Sequence, residues 1–339
     1  MSLSNVNLSE AAQRVGYRHG RKPMHDYLLL NAAEVPDQVA YVFYGRELSW
    51  QEVADSAKRL AGYLRAQGIG KGDRVGLYLQ NSPQYIIAHY AIQMLGAIIT
   101  PLNPQYKAAE LEYQLNDAAA KAVVCGTELY PMLAEVREKT DKPSLVITAC
   151  YADYLPEKLT LPAPEDVMQV LPTPNGATDF MAALEQSQAI EAPEAVDFDK
   201  DIALMTFTSG TTGRPKGAML PVGAATFKTA SLYQASGLSE ATISLAIAPF
   251  CHIAGMCLGV YAGVYGRWKT VILTRFDPEA TVQAIERYKV DMWYSIAPMN
   301  RAILSMPDIQ SRDLTSLRFN PATSFGIPVT EGLADEWKA

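Results

Sequence analysis

Short apolar strands alternate with amphipathic helices along most of this 339-residue chain, and that alternation restricts the fold more than any other feature. Apolar runs at residues 75–79, 122–125 and 145–148 have the length and composition of buried strands, and helical segments separate them. Repeated strand–helix units predict a mostly parallel sheet with helices on both faces. The expected fold class is therefore α/β.

A proline-rich stretch interrupts the alternation near the middle of the chain. We predict a first α/β lobe at residues 1–150, a surface crossing segment at 151–200 and a second α/β lobe at 201–339. The prolines that mark the crossing segment are Pro156, Pro162, Pro164, Pro172, Pro174 and Pro193.

Hydroxyl residues and glycines follow the apolar run 202–205, at the start of the second lobe. This stretch contains Thr208, Ser209, Gly210, Thr211, Thr212, Gly213 and Lys216. Glycines let backbone N–H groups turn inward, hydroxyls add donors, and a lysine adds a mobile positive charge. A buried strand followed by such a loop predicts a polyphosphate site. The spacing differs from a Walker A loop, because Lys216 follows a proline and precedes a glycine. A flexible Ser/Thr/Gly surface loop is the alternative.

Charge and cysteine usage exclude several classes of partner. The net charge of −7 disfavours nucleic acid as the main partner. The cysteines form no CxxC pattern, so reduced, buried thiols are expected rather than a metal site or disulfides.

Residues 245–266 carry no Asp, Glu, Lys or Arg and are numerous enough to span a bilayer. Pro249 and His252 interrupt the segment, and Gly255, Gly259 and Gly263 recur in it at every fourth position. We interpret it as a strand, a loop and a buried helix rather than a membrane span. The N-terminus lacks the basic and apolar regions of a signal peptide, so a cytoplasmic location is expected, with at most peripheral membrane contact.

The stretch at 206–217 resembles the phosphate-loop signature of the adenylate-forming (AMP-binding) superfamily, which includes acyl- and aryl-CoA synthetases, peptide-synthetase adenylation domains and luciferases. The turn at 249–255 resembles a second family motif, although Phe250 and Cys251 stand in altered order before His252. Residues 324–328 resemble a third, and runs at 81–83 and 101–104 extend the similarity over the whole chain. The resemblance implies two mostly parallel, helix-covered sheets of an acyl-CoA synthetase N-terminal domain, incomplete at its C-terminus.

The resemblance also implies roles for individual residues. Thr208 to Gly213 would hold the β- and γ-phosphates of ATP, with Thr208 also contacting Mg²⁺ and Lys216 neutralising the polyphosphate. His252 would line the carboxylate end of an acyl pocket. Adenine would lie along the loop at 324–328, where Phe325 and Ile327 depart from the usual Gly and Ala. The implied adenine-binding residues are Ser324, Gly326, Ile327 and Pro328.

Later family motifs are not found in these residues. They are a Tyr-Gly-x-Thr-Glu run with a magnesium-binding glutamate, a ribose-binding aspartate, a hinge, and a small C-terminal lobe with a catalytic lysine. The resemblance therefore implies that this chain is the N-terminal part of a longer enzyme. No catalytic set is complete within it, and it is expected to be inactive alone.

The expected function is an ATP-dependent acid–thiol ligase of the long-chain fatty acid–CoA ligase branch, with coenzyme A as co-substrate. Apolar residues around His252 favour a fatty or related apolar carboxylic acid as the small-molecule substrate. An amino- or aryl-acid adenylation domain that loads a carrier protein, a luciferase-type oxygenase and a non-catalytic nucleotide-binding module are the alternatives. No carboxylate follows the turn at Phe250, which disfavours an amino acid. Homodimerisation is left open.

Overall fold

The computed structural model describes residues 15–140, 142–208 and 214–338. Fourteen strands are assigned within these ranges: β1 (Val39–Phe43), β2 (Arg46–Ser49), β3 (Arg74–Tyr78), β4 (Ile98–Pro101), β5 (Ala122–Gly126), β6 (Leu145–Ala149), β7 (Thr178–Asp179), β8 (Ile202–Thr208), β9 (Lys216–Pro221), β10 (Ile243–Ala246), β11 (Lys269–Ile272), β12 (Met292–Trp293), β13 (Ser295–Ile296) and β14 (Ala322–Thr323).

The α-helices of the same residues are α1 (Met24–Glu34), α2 (Trp50–Ala66), α3 (Pro83–Met94), α4 (Ala108–Asp117), α5 (Tyr130–Arg137), α6 (Glu165–Met168), α7 (Phe180–Glu185), α8 (Val222–Ser236), α9 (Ile253–Gly255), α10 (Ala262–Gly266), α11 (Pro278–Tyr288), α12 (Ala297–Leu304) and α13 (Glu331–Lys338). A π-helical section, Met256–Tyr261, joins α9 to α10, so residues 253–266 form one continuous helix.

Two mostly parallel sheets organise these elements and confirm the predicted α/β class. The larger sheet has seven strands in the order β7-β6-β5-β3-β4-β8-β9, and β8–β9 is its antiparallel pair. The smaller sheet has five strands in the order β12-β10-β11-β1-β2, with β1–β2 antiparallel. A two-stranded parallel pair, β13–β14, stands beside them.

The sheets interleave distant parts of the chain. β1 and β2 join β10 and β11 in the smaller sheet, whereas β8 pairs with β4 in the larger one. The crossing segment contributes α6, β7 and α7, and β7 extends the larger sheet by pairing with β6. The predicted boundaries at residues 150 and 200 therefore do not coincide with a change from one sheet to the other. They remain a prediction about folding units.

Helix α3 is the central helix of the fold. All twelve of its residues are buried, it contacts β3 and β4 of the larger sheet, and its side chains bond to the segment that follows β10 of the smaller sheet. The helix carries no Asp, Glu, Lys or Arg, so it can be buried on every side without an unpaired charge.

The uncharged segment 245–266 forms the end of β10, a turn and the helix 253–266, as predicted. Its glycines allow close packing: a Cβ at Gly255 would lie 2.1 Å from the carbonyl oxygen of Pro249, and one at Gly259 would lie 2.3 Å from Cε1 of Phe250. At Gly263 the nearest atom would be Oγ1 of Thr270, at 2.5 Å. Among the described residues, no helix combines the length and apolar character needed to cross a membrane.

Candidate functional site

The predicted phosphate loop connects the two strands of a β-hairpin. Thr208 at the end of β8 pairs with Lys216 at the start of β9, and both side chains are exposed. The strand before the loop was predicted, but β9 was not. The structure places two predicted phosphate-binding residues opposite each other at the base of the loop. The remaining ones lie outside the described residues: Ser209, Gly210, Thr211, Thr212 and Gly213.

Tyr113 on α4 contacts both arms of this hairpin. Its hydroxyl donates to the carbonyl oxygen of Pro215 at 2.8 Å, and its ring centroid lies 6.5 Å from that of Phe207. The guanidinium of Arg214 lies 5.5 Å from the centre of the same ring. One aromatic side chain thus fixes the hairpin base to a helix of the larger sheet.

His252 is the exposed residue that precedes the helix 253–266. Its N–H donates to the carbonyl of Pro249 at 3.0 Å, and its own carbonyl accepts from the N–H of Met256 at 2.8 Å. Phe250, only 1% exposed, packs edge-on against Tyr85 with ring centroids 5.4 Å apart. In this turn the aromatic ring of Phe250 is buried and His252 is exposed.

Buried Asn81 fixes this turn. Its Nδ2 donates to the carbonyls of Ile247 and Ala248 at 3.0 and 3.1 Å, and its Oδ1 accepts from the N–H of Phe250 at 2.8 Å. These bonds satisfy backbone groups that leave the sheet at the end of β10, where parallel sheets usually place ligand sites.

Polar side chains of helix α3 form hydrogen bonds to this turn and to the helix that follows it. Tyr85 donates to the carbonyl of Phe250 at 3.0 Å, and Tyr90 donates to that of Val260 at 2.9 Å. His89 Nε2 lies 2.9 Å from the hydroxyl of Tyr261, which also accepts from Gln93 at 3.1 Å. The π-helical section is therefore held by side chains of α3.

Two cavities adjoin the turn. The first, of about 340 Å³, lies beside His252 and Cys251. Arg275 at its edge donates from both Nη atoms to the carboxylate of Asp166 at 2.7 and 2.6 Å. This bidentate bond holds the pKa of Asp166 below its usual value and joins α6 to the end of β11.

The second cavity, of about 500 Å³, is almost entirely apolar. It lies between the strands of the phosphate hairpin, helix α8 and the helix that follows His252. Its lining residues are Ala203, Leu204, Leu220, Pro221, Ala224, Ala225, Lys228, Leu232, Ile253, Ala254, Cys257, Leu258, Tyr261, Tyr294 and Pro321. The hairpin and the His252 helix, predicted as separate motifs, thus share one cavity.

The predicted adenine loop follows β14. Ser324 Oγ accepts from the N–H of Val329 at 3.1 Å, and Gly326 adopts a φ of 75°, which favours glycine. Ile327 and Pro328 are exposed, and Phe325 is 70% exposed. Pro321, which lies just before β14, borders the apolar cavity.

Metal binding by Thr208 depends on further ligands. Mg²⁺ in proteins is usually held by one or two carboxylates together with phosphate oxygens. The described residues contain no cluster of three or more His, Cys, Asp or Glu that could hold a metal ion. These residues do not form a complete Mg²⁺ site.

Comparison with known proteins identifies the family. The model of the AMP-binding enzyme family matches residues 29–339. The chain belongs to this family. It is 30% identical over 319 residues to a long-chain-fatty-acid–CoA ligase of Bacillus subtilis, covering 91% of this chain and 56% of that protein. A feruloyl-CoA synthase of Amycolatopsis is 28% identical over 302 residues, covering 89% of this chain and 54% of that protein.

Solved structures agree on the fold. A long-chain-fatty-acid–CoA ligase of Archaeoglobus fulgidus matches with a TM-score of 0.79 at 24% identity, covering 94% of this chain and 60% of that one. An anthranilate–CoA ligase in complex with anthranoyl-AMP matches with a TM-score of 0.81 at 20% identity, covering 96% of this chain and 59% of that one. The AMP-binding chain described here therefore spans a little over half the length of the curated relatives it matches, 56% and 54% for those above.

Proposed function

We propose that the whole protein is an ATP-dependent acid–thiol ligase that activates a carboxylic acid with an apolar body. The observation that supports this best is the apolar cavity between the phosphate hairpin and the helix after His252. A carboxylate that enters beside His252 would meet a nucleotide whose phosphates lie at Thr208 and Lys216.

The chemistry has two half-reactions. The acid's carboxylate oxygen bonds to the α-phosphorus of ATP and pyrophosphate leaves, which gives an acyl-adenylate. A thiol, which we propose to be that of coenzyme A, then bonds to the acyl carbon and AMP leaves. In the first step the described residues contribute the hydroxyl of Thr208 and the ammonium of Lys216 as donors to phosphate oxygens. We also propose that this chain alone does not complete the reaction, because the catalytic lysine and glutamate implied by the resemblance are not among its residues.

The cavity lining supports an apolar acid over an amino acid. No Asp or Glu is among the described residues that line it, so an amino acid's ammonium would be buried without a counter-ion. Fatty and aryl acids both fit this chemistry. The matched relatives include ligases named for both, and we propose the fatty-acid branch because the relative with 30% identity belongs to it.

Blocking the cavity tests this proposal. Ala225 lines it, whereas Ala235 is an exposed residue of the same helix. In the full-length protein, Ala225→Phe should lower kcat/KM for a long-chain acid roughly two-hundredfold, since displacing about four methylenes costs about 0.8 kcal/mol each. Nucleotide binding should not change, and Ala235→Phe should behave as wild type. Equal kcat/KM values for both variants in ATP–pyrophosphate exchange would refute the assignment of this cavity.

A further inference from the structure

Lys228 stands out in the apolar cavity because it is the one charged side chain among the described residues that line it. Ala224, Ala225 and Leu232 of the same helix also line the cavity. Residues at this spacing share one face of a helix, so Lys228 extends from the face that borders the cavity.

Among the residues that the structure describes, the ammonium of Lys228 has no anionic partner. No carboxylate lies in the lining, and none of the ion pairs found among the described residues involves Lys228. Its positive charge acts on Cys257, which lines the cavity from the helix after His252. Burial raises the pKa of the Cys257 thiol, and the charge of Lys228 offsets part of that rise. Lys228 is an exposed residue at the border of the apolar cavity, so its cation is accessible to an anion that binds there.

Lys228 and Cys257 line the apolar cavity, whereas His252 lines the first cavity. Cys257 lies five residues beyond His252 on the helix, which corresponds to about 7 Å along the helix axis at 1.5 Å per residue. An acid whose carboxylate lies beside His252 would thus extend its other end toward Lys228.

We propose that Lys228 is a specificity-determining residue that binds an anionic group at the far end of the acid. The preferred substrate is then an acid with an apolar middle and a second carboxylate at its distal end. This inference rests on the proposed function and narrows its substrate class. The alternative is that the lysine stem only covers apolar surface while the ammonium is solvated by bulk water.

The test compares straight-chain monoacids with α,ω-diacids of the same carbon number in ATP–pyrophosphate exchange by the full-length protein. Lys228→Met keeps the stem and removes the charge, and Lys228→Arg keeps the charge. Loss of a charge-assisted hydrogen bond should lower kcat/KM for the diacids at least about tenfold in Lys228→Met. The value for monoacids should change less than about threefold, and Lys228→Arg should retain most diacid activity.

The outcomes separate this inference from the proposed function. If Lys228→Met leaves the diacid-to-monoacid ratio of the wild type unchanged while monoacids are activated, the specificity role is wrong and the ligase assignment stands. If the wild type activates neither acid class at any chain length, both are wrong.

Discussion

His89 is a fully buried imidazole that connects α3 to the wall of the apolar cavity through Tyr261. Burial lowers its pKa from 6.5 to about 3. Its Nδ1 has no hydrogen-bond partner among the described residues, so protonation would leave a charge without compensation. The neutral form is therefore the one that the folded chain stabilises.

This pKa predicts a pH dependence of stability. The unfolded chain binds a proton at His89 below pH 6.5, whereas the folded chain does not until about pH 3. Stability should therefore fall with decreasing pH in that window, by at most about 1.4 kcal/mol per pH unit from this residue. Glu128 acts in the opposite direction, because burial raises its pKa and its protonation favours folding.

A variant isolates the histidine contribution. Urea unfolding of His89→Gln between pH 7 and about pH 5 should show a shallower loss of stability than the wild type. Parallel slopes for the wild type and His89→Gln would show that His89 is not held neutral.

The helix 253–266 is the element that links the candidate carboxylate end to the apolar cavity. Gly255 lies in its first turn, where an added Cβ would be 2.1 Å from the backbone oxygen of Pro249. Backbone cannot yield as a flexible side chain can, so the turn that carries His252 would have to shift.

Substitution of this glycine should destabilise the fold. Helix propensity alone favours alanine over glycine by about 1 kcal/mol, but the clash should outweigh it, giving Gly255→Ala a net loss of about 2 kcal/mol. Gly70→Ala is the control, since a Cβ there meets no atom within 4 Å. Denaturant unfolding gives both values. A neutral or stabilising effect at Gly255 would contradict the packing described for the turn.

Long amphipathic helices were predictable because their periodicity and caps are local signals. Ser49 caps α2 by accepting from the N–H of Glu52, and Asp277 caps α11 by accepting from the N–H of Ala280. Strand β9 was missed because its glycine, alanine and proline do not alternate as a strand should. Near the end of the described residues, Phe319 forms only an isolated bridge with Met292, and β14 is a strand of two residues.

Part of the site could not be predicted from the sequence, because it depends on how distant segments of the chain pack together. Tyr85, His89 and Gln93 recur at every fourth position of an apolar helix, and this polar stripe was a usable signal for an internal hydrogen-bonded face. The Arg275–Asp166 pair joins residues 109 positions apart, and no local pattern predicts such a contact. Thr208, Lys216 and His252 were predictable as motifs, but the cavity that strands β8 and β9 share with the helix after His252 depends on how the strands pair.

At the scale of the whole molecule, two interleaved sheets place the phosphate hairpin beside the helix after His252. β8 and β9 form one edge of the larger sheet, and β10 and β11 lie in the smaller one. Tyr85 of α3 donates a hydrogen bond to the carbonyl of Phe250, in the segment that follows β10. Each motif alone would be compatible with a nucleotide-binding module. Their convergence on an apolar cavity is what favours acid activation.

ATP–pyrophosphate exchange by the full-length protein, with fatty, aryl and amino acids at equal concentration, tests the central claim most directly. Exchange requires a carboxylate and ATP to react reversibly, so it reports adenylate formation before any thiol is added. We predict exchange with apolar acids, rising with chain length by up to about 0.8 kcal/mol of binding per buried methylene until the cavity is filled. Exchange that prefers amino acids, or none with any acid, would contradict the account.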